Sequence, residues 1–363
     1  MNEKKLLLKQ CNQKLSIYDN YQIPFIKMWL KKATGRKRID PSIVGWNTGL
    51  LCDGIIDSSL NDNEKQCEKV IAFYDNLLKL QKLGFSVFFM PDSFIHASCM
   101  SKLIIRYNKK HLLPLVNTAI DFYKCSAVEL SKQKYVIPFR ANLLYLDQIG
   151  IMGEFCQILS DEFGEEELLA ILLYQIYFTF ENQIEQGELF PAHVFDLNNS
   201  KCLGSCTWGR GVGWWMMGLI YASKAKNTKE SYKKEMIRYL LKCSKYLSSL
   251  QDEKGYLYDD IRYNANIDTS TTAICGWCFS EMCLDFTEYL SSAEYTCLYN
   301  TARKCKDAII LSMDRDGKIM DCSMECKDFG QYSKIFGDFC AEGPALKLMI
   351  NLEILAGLEK TEK

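Results

Sequence analysis

The chain has 363 residues, of which 48% are apolar and 12% aromatic, enough for a sizeable core and incompatible with overall disorder. A formal net charge of −1, with 25% charged residues, provides no field to draw it to nucleic acid or an anionic membrane. Seventeen cysteines, an odd number, with no apolar leader in residues 1–15 and no membrane-length stretch, suit reduced thiols; the expected compartment is cytoplasmic.

In chain order, residues 1–20 are expected to be peripheral to a single domain spanning 1–363, and a helix pair is expected around Tyr21–Ala33 and Thr48–Ser58. Amphipathic helix faces follow at Val70, Phe73, Tyr74, Leu77 and Leu80, and at Leu112, Val116, Ala119 and Tyr123. Two more run through Met236, Leu240, Cys243, Leu247 and Leu250, and through Tyr295, Leu298, Ala302, Cys305 and Ile309. Between them lie segments of another kind, Ile149 to Leu159, Val212 to Ala222, Ala273 to Phe286 and Pro344 to Leu355. These are apolar on most faces, as an interior helix must be. Short extended pieces such as Gly84–Phe89, Lys134–Phe139, Gly187–Phe190, Gly255–Tyr258 and Gly317–Met320 separate the units and recur every ~50 to 70 residues, a repeat of supersecondary structure. About twelve helices in six outer-then-inner hairpins close into an all-α (α/α)6 barrel. An open solenoid would show a more constant period and polar capping repeats.

The unusual polar and aromatic residues sit in the loops before the inner helices. They are Asp92 and His96, then Asp147, then His193 and Asp196 with the segment from Cys206 to Trp215, then Asp268–Thr272, and finally Asp338 and Glu342. If the inner helices run parallel, these loops meet at one rim, where helix N-termini also offer free N–H groups. Asp147 follows Leu143-Leu144-Tyr145-Leu146, and an acid in such apolar surroundings keeps its proton to higher pH unless paired, as a general acid requires. In Trp208-Gly209-Arg210-Gly211-Val212-Gly213-Trp214 a planar cation lies between flat apolar platforms, an arrangement suited to an acidic sugar and equally to a core ion pair. Asp268, Ser270 and Asp338 equally suit helix N-caps. The Cys275-Gly276-Trp277-Cys278 quartet lies within a helical pattern and reads as core packing, and the other close cysteine pairs lack the neighbouring His of a zinc site.

At these residues the chain resembles the unsaturated glycuronyl hydrolases, especially the unsaturated rhamnogalacturonyl hydrolases of glycoside hydrolase family 105, which is related to family 88. The resemblance is carried by Trp208-Gly209-Arg210 with Gly213-Trp214, by Asp147 with Met152, by Phe190, His193 and Asp196, by Asp268-Thr269-Ser270-Thr271-Thr272-Ala273, and by Trp46 with Gly49. Val212 stands where many members have a polar residue, and Ile95–Ser98 replaces the family's Gly-bearing turn after Asp92. The resemblance implies an (α/α)6 barrel that removes a 4,5-unsaturated uronic acid, galacturonyl-type favoured, from the non-reducing end of lyase-generated oligosaccharides, as in pectin degradation. It assigns catalysis to Asp147 and substrate binding to His193, Trp208, Arg210, Trp214, Trp46, Asp92, Asp268 and Ser270. It implies no metal or organic cofactor, and an unsaturated oligosaccharide as the partner, with neither nucleic acid nor membrane. A catalytically inactive carbohydrate-binding barrel and another (α/α)6 sugar enzyme are the alternatives.

Overall fold

A computed structural model describes residues 2–19, 33–35, 38–59, 63–262, 266–326, 329–332 and 334–361. Twelve α-helices lie among them. α1 (Glu3–Asp19), α3 (Glu68–Lys82), α5 (Leu113–Ser126), α7 (Glu166–Asn182), α9 (Glu230–Leu250) and α11 (Ser292–Leu311) alternate along the chain with a second set. That set is α2 (Trp46–Ser58), α4 (Phe94–Tyr107), α6 (Asp147–Phe163), α8 (Gly209–Lys224), α10 (Thr269–Asp285) and α12 (Glu342–Thr361). The even-numbered helices pack in sequence, α2 on α4, then α6, α8, α10 and α12, and α12 returns to α2. The ring is closed, so the fold is the (α/α)6 barrel rather than a solenoid.

The two helix sets differ as their residue patterns require. Every residue of α10 from Thr269 to Cys283 is buried, as is every residue of α8 from Gly209 to Ser223. In α9 only one stripe is buried, Met236, Ile237, Leu240, Cys243, Ser244 and Leu247. Burial of a whole helix, with its backbone hydrogen bonds made internally, favours the inner layer; the Lys- and Glu-rich faces stay in water. Cys275 and Cys278 are packed inside α10.

Three expectations change. The segment 1–20 is not peripheral throughout: α1 buries Leu7, Cys11 and Leu15 completely and packs against α2, α3 and α12, serving as the outer helix at the closure. The helix expected over Tyr21–Ala33 falls, apart from Ala33, outside the described residues. Most of the extended pieces are turns rather than strands. Gly84, Gly187, Gly255 and Gly317 all take φ of 86 to 96°, a left-handed bend that glycine adopts without strain.

The strands that do form sit at the rim. β1 (Val128–Ser131) pairs with β2 (Lys134–Val136). β3 (Leu143–Tyr145), β4 (Val194–Asp196) and β5 (Lys201–Leu203) form an antiparallel sheet in that order. A fourth pair joins β6 (Cys322–Ser323) to β7 (Phe336–Gly337). The β3–β4 pairing extends one step further, where the Leu146 N–H donates to the His193 carbonyl at 2.8 Å. That bond ties His193 to the start of α6, and with it to Asp147.

Candidate active site

The N-termini of four inner helices converge on one rim pocket. Trp46 opens α2, Asp92 lies in the turn Pro91–Ser93 ahead of α4, and Asp147 opens α6. Trp208 is the N-cap of α8, with Arg210 two residues on. These five residues and His193 line the pocket together with Phe139, Arg140, Tyr145, Glu325 and Cys326. Carboxylates at helix N-termini also face the positive end of the helix dipole.

Asp147 Oδ1 lies 3.3 Å from His193 Nε2 without hydrogen-bond alignment, and neither buried atom has another partner. The far side of the imidazole is fixed. Ser205 N–H donates to the Tyr332 hydroxyl at 2.7 Å, and that hydroxyl lies 3.2 Å from His193 Nδ1. A Tyr332 hydroxyl that donates to Nδ1 leaves the ring hydrogen on Nε2, the nitrogen on the Asp147 side. Burial raises the Tyr332 phenol, which keeps it a neutral donor. The imidazole sits 4.4 Å from the Trp208 ring and edge-on to Tyr145 at 5.4 Å, so it has one orientation available.

Asp92 is the carboxyl of this pocket that keeps its proton to higher pH. Burial first, then the negative charges of Asp147 and Glu325, push its carboxyl up to about 7, with Arg140 pulling the other way. A carboxyl titrating there is half protonated near neutral pH. Next to it Asp147 keeps an open face, its side chain 25% exposed to the pocket.

Arg210 is almost wholly buried. Its Nη1 donates to Ser323 O at 2.7 Å, Ser323 Oγ at 2.8 Å and Ser270 Oγ at 3.2 Å, and its Nη2 to Met324 O at 3.0 Å. The guanidinium lies over Trp208 at 5.3 Å and Trp46 at 5.5 Å, a double cation–π arrangement. Gly211 makes this possible: a Cβ there would stand 2.5 Å from the Trp208 ring. The close approach that the glycines permit is therefore made by the protein's own tryptophan.

Asp268, Ser270 and Trp214, expected to touch substrate, do not line this pocket. Asp268 is the fully buried N-cap of α10; it accepts from Ser270 N at 3.0 Å, Ser323 N at 3.0 Å and the hydroxyls of Ser270, Thr271 and Ser323 at 2.8–2.9 Å. With every lone pair in use, it anchors the two serines that hold Arg210. Trp214 is buried behind Trp46, edge to face at 5.7 Å. His96 is likewise a core residue: its Nε2 meets the Gly45 carbonyl at 3.1 Å and its Nδ1 the Tyr74 hydroxyl at 3.0 Å. It steadies Gly45, the N-cap just before Trp46. Asp196 caps its own turn through Asn198 N at 2.9 Å. Asp338 and Glu342 pair with Lys14 of α1 rather than joining the pocket.

Sequence patterns did not single out Arg140, Glu325, Cys326 or Tyr332. Tyr145 and Phe139 lay within stretches read as apolar or extended, and an aromatic two residues before Asp147 was the available signal. One group of carboxylates elsewhere has the spacing of a metal site: oxygens of Asp53, Asp57 and Glu154 lie within 4.8 Å of one another. Lys102 and Lys347 already occupy that cluster, with Nζ 2.5 Å from Asp53 in each case, so the cation there is supplied by the chain.

Three comparisons bear on family and fold. The model of Glycosyl Hydrolase Family 88 matches residues 23–335. No curated protein matches the chain. Solved structures do: a possible member of family GH105 from Klebsiella pneumoniae superposes with a TM-score of 0.74 at 12% identity, over 99% of this chain and 94% of that one. A family 105 glycoside hydrolase from C. acetobutylicum gives 0.69 at 15% identity, over 91% and 99%. The unsaturated glucuronyl hydrolase of Bacillus sp. GL1, responsible for the degradation of glycosaminoglycan, gives 0.67 at 15% identity, over 86% and 87%. At these identities the likeness is one of fold. No helix among the described residues is long and apolar enough to cross a membrane.

Proposed function

The chain belongs to glycosyl hydrolase family 88, and from that membership we propose that this glycoside hydrolase releases a 4,5-unsaturated uronic acid from the non-reducing end of lyase-generated oligosaccharides. The observation that carries the reading is the carboxyl pair at the rim. Asp92 titrates at about 7 beside the open face of Asp147, in a pocket walled by Trp46, Trp208, Tyr145 and Phe139. A vinyl ether needs a proton donor and then a base for water, while flat aromatic walls suit a half-flattened sugar ring.

In this reading Asp147 delivers a proton to C4 of the C4=C5 double bond. Water adds at C5 and gives its proton to the Asp147 carboxylate, and the resulting hemiketal opens to release the neighbouring sugar. Asp92 holds the second proton of the pair, so that Asp147 is not left beside a full negative charge. The Nε2–H of His193 faces Asp147 Oδ1 and orients it. Trp46 and Trp208 stack on the sugar, and Arg210 contributes fixed positive charge beneath them. Asp268, Ser270 and Trp214 support these groups from behind. The likeness to the rhamnogalacturonyl members favours a galacturonyl-type uronate, as from pectin, and the name of the Bacillus sp. GL1 neighbour points to glucuronyl substrates. The seventeen cysteines, an odd number, support a reducing, cytoplasmic compartment.

The test is a screen of unsaturated disaccharides from pectin lyases and from glycosaminoglycan lyases. Loss of the ultraviolet absorbance of the double bond, with release of the second sugar, is expected for at least one class. Binding without consumption across all of them would instead indicate a sugar-binding barrel without turnover.

A further inference from the structure

The pocket contains two arginines in opposite situations. Arg210 donates through both terminal nitrogens to Ser270, Ser323 and Met324, and its remaining donor, Nε, is buried. Its charge reaches the pocket, but its hydrogen-bonding edge is committed to the protein. Arg140 lies in the turn before β3, where its backbone bridges to Leu143, and its side chain is exposed. The guanidinium lies 5.5 Å from the Phe139 ring centroid and makes no hydrogen bond or ion pair among the described residues. A guanidinium resting on an aromatic face still presents its planar N–H edge, the fork that matches a carboxylate in bidentate fashion.

The pocket has a need for such a group. Asp92, Asp147 and Glu325 all line it, so an anionic sugar entering among them gains from a cation that can bond it directly, beyond the committed charge of Arg210. Arg140 is on the same wall and close enough for its charge to act on Asp92.

We propose that Arg140 is the specificity-determining residue that reads a carboxylate of the substrate, through its uncommitted guanidinium edge at the mouth of the Asp92–Asp147 pocket. The proposal rests on the uronyl hydrolase reading for the identity of the ligand. The carboxylate belongs either to the uronate in the pocket or to an acidic neighbouring sugar, and the test separates the two.

Wild type, Arg140→Met and Arg140→Lys are compared on an unsaturated uronyl disaccharide with a neutral second sugar, on its methyl ester, and on a disaccharide with an acidic second sugar. For Arg140→Met on the acid, KM should rise about 10- to 30-fold with kcat within about threefold, the size expected of a partly exposed charge-assisted bond. The methyl ester should show no such rise, and Arg140→Lys should recover part of the loss. A rise confined to the acidic second sugar assigns the contact to that sugar. An equal rise for acid and ester, or none for any substrate, overturns the proposal. Calorimetric binding of galacturonate and glucuronate against their methyl esters gives a readout independent of turnover. If wild type consumes no uronide yet prefers the acids, and Arg140→Met loses that preference, the hydrolase reading fails while the role of Arg140 stands. A wild type that binds acid and ester alike, or neither, overturns the role of Arg140.

Discussion

Asp147 Oδ1 and His193 Nε2 lie 3.3 Å apart, each buried and each without another partner. Two polar atoms held this close yet unbonded are costly in a finished core and useful in a site where a third group completes the geometry. The order Ser205, Tyr332, His193, Asp147 sets Nε2 beside one carboxyl oxygen of Asp147. The backbone bond from Leu146 to His193 keeps the two residues together across about 45 positions of chain.

Asp147→Asn should leave the fold intact and remove activity. The side chain is 25% exposed and makes no hydrogen bond through Oδ1, so the amide fits without a buried conflict. General acid–base catalysis is worth roughly 10²- to 10⁴-fold, and kcat should fall by at least that range, read by the loss of double-bond absorbance. Circular dichroism and melting temperature should match wild type; retained turnover would place the chemistry elsewhere.

Asp92 predicts a pH signature. A carboxyl whose folded pKa lies above its unfolded one favours folding most below pH ~4, and that contribution is lost as pH rises towards 7. Asp92→Asn should therefore be more stable than wild type at pH 8, by about 1–3 kcal/mol, and the difference should vanish near pH 4. Urea denaturation at the two pH values measures it. In wild type, activity should decline as pH rises through about 7, when Asp92 loses its proton; whatever activity the Asn variant retains should lack that limb.

Tyr332→Phe removes the donor to His193 Nδ1 and the acceptor for Ser205 N–H. The imidazole is then free to place its proton on Nδ1 and turn a lone pair towards Asp147, which repels the carboxylate. A loss of about 10-fold in kcat is expected, the equivalent of one hydrogen bond at ~1.4 kcal/mol, with KM little changed. A wild-type kcat for this variant would show that the tautomer is set by other groups.

Much of this architecture was legible because interior and exterior helices differ in composition. Val212 to Ala222 is apolar all round and became α8; Met236 to Leu250 is apolar on one stripe and became the outer α9. Placing the odd polar residues before the inner helices was enough to bring Trp46, Asp92, Asp147, His193, Trp208 and Arg210 to one pocket. Which way each side chain points was not legible. Asp268 and Asp147 both open inner helices, yet one turns inward to cap α10 and the other faces the cavity, a choice made by the chain that crosses above them. Ser323 meets Asp268 and Tyr332 meets His193, and no periodicity around either residue announces its contact. The helix α1 was missed because its buried stripe, Leu7, Cys11 and Leu15, is narrow among lysines and glutamines.

The opposite mouth of the barrel supplies a prediction about stability. There the inner helices surround a polar cavity lined by Asp57, Lys102, Glu154, Tyr221 and Lys347, among others. Lys347 Nζ lies 2.5 Å from Asp53 and 2.9 Å from the Tyr221 hydroxyl, with the Trp277 ring at 4.8 Å; Lys102 Nζ reaches Asp53 and Glu154 at 2.5 Å and Asp57 at 3.0 Å. Two lysines thus hold three acids, with Arg106 also 3.0 Å from Asp57, in a place where water cannot fully solvate them. Lys347→Met leaves Asp53 and Glu154 with Lys102 as their cation while Asp57 keeps both Lys102 and Arg106, and stripping a buried charge of its counter-ion costs about 3–5 kcal/mol. Lys245→Met, which breaks an exposed pair with Glu294 at 2.7 Å, should cost no more than about 1 kcal/mol. Burial and the neighbouring charge of Glu154 already raise Asp53, so it is ready to take up a proton once Lys347 is gone. The deficit of Lys347→Met should consequently narrow as pH falls, which chemical denaturation at pH 8 and pH 5 would record; kcat at the far rim should stay within about twofold of wild type, since distant, unconnected sites behave independently.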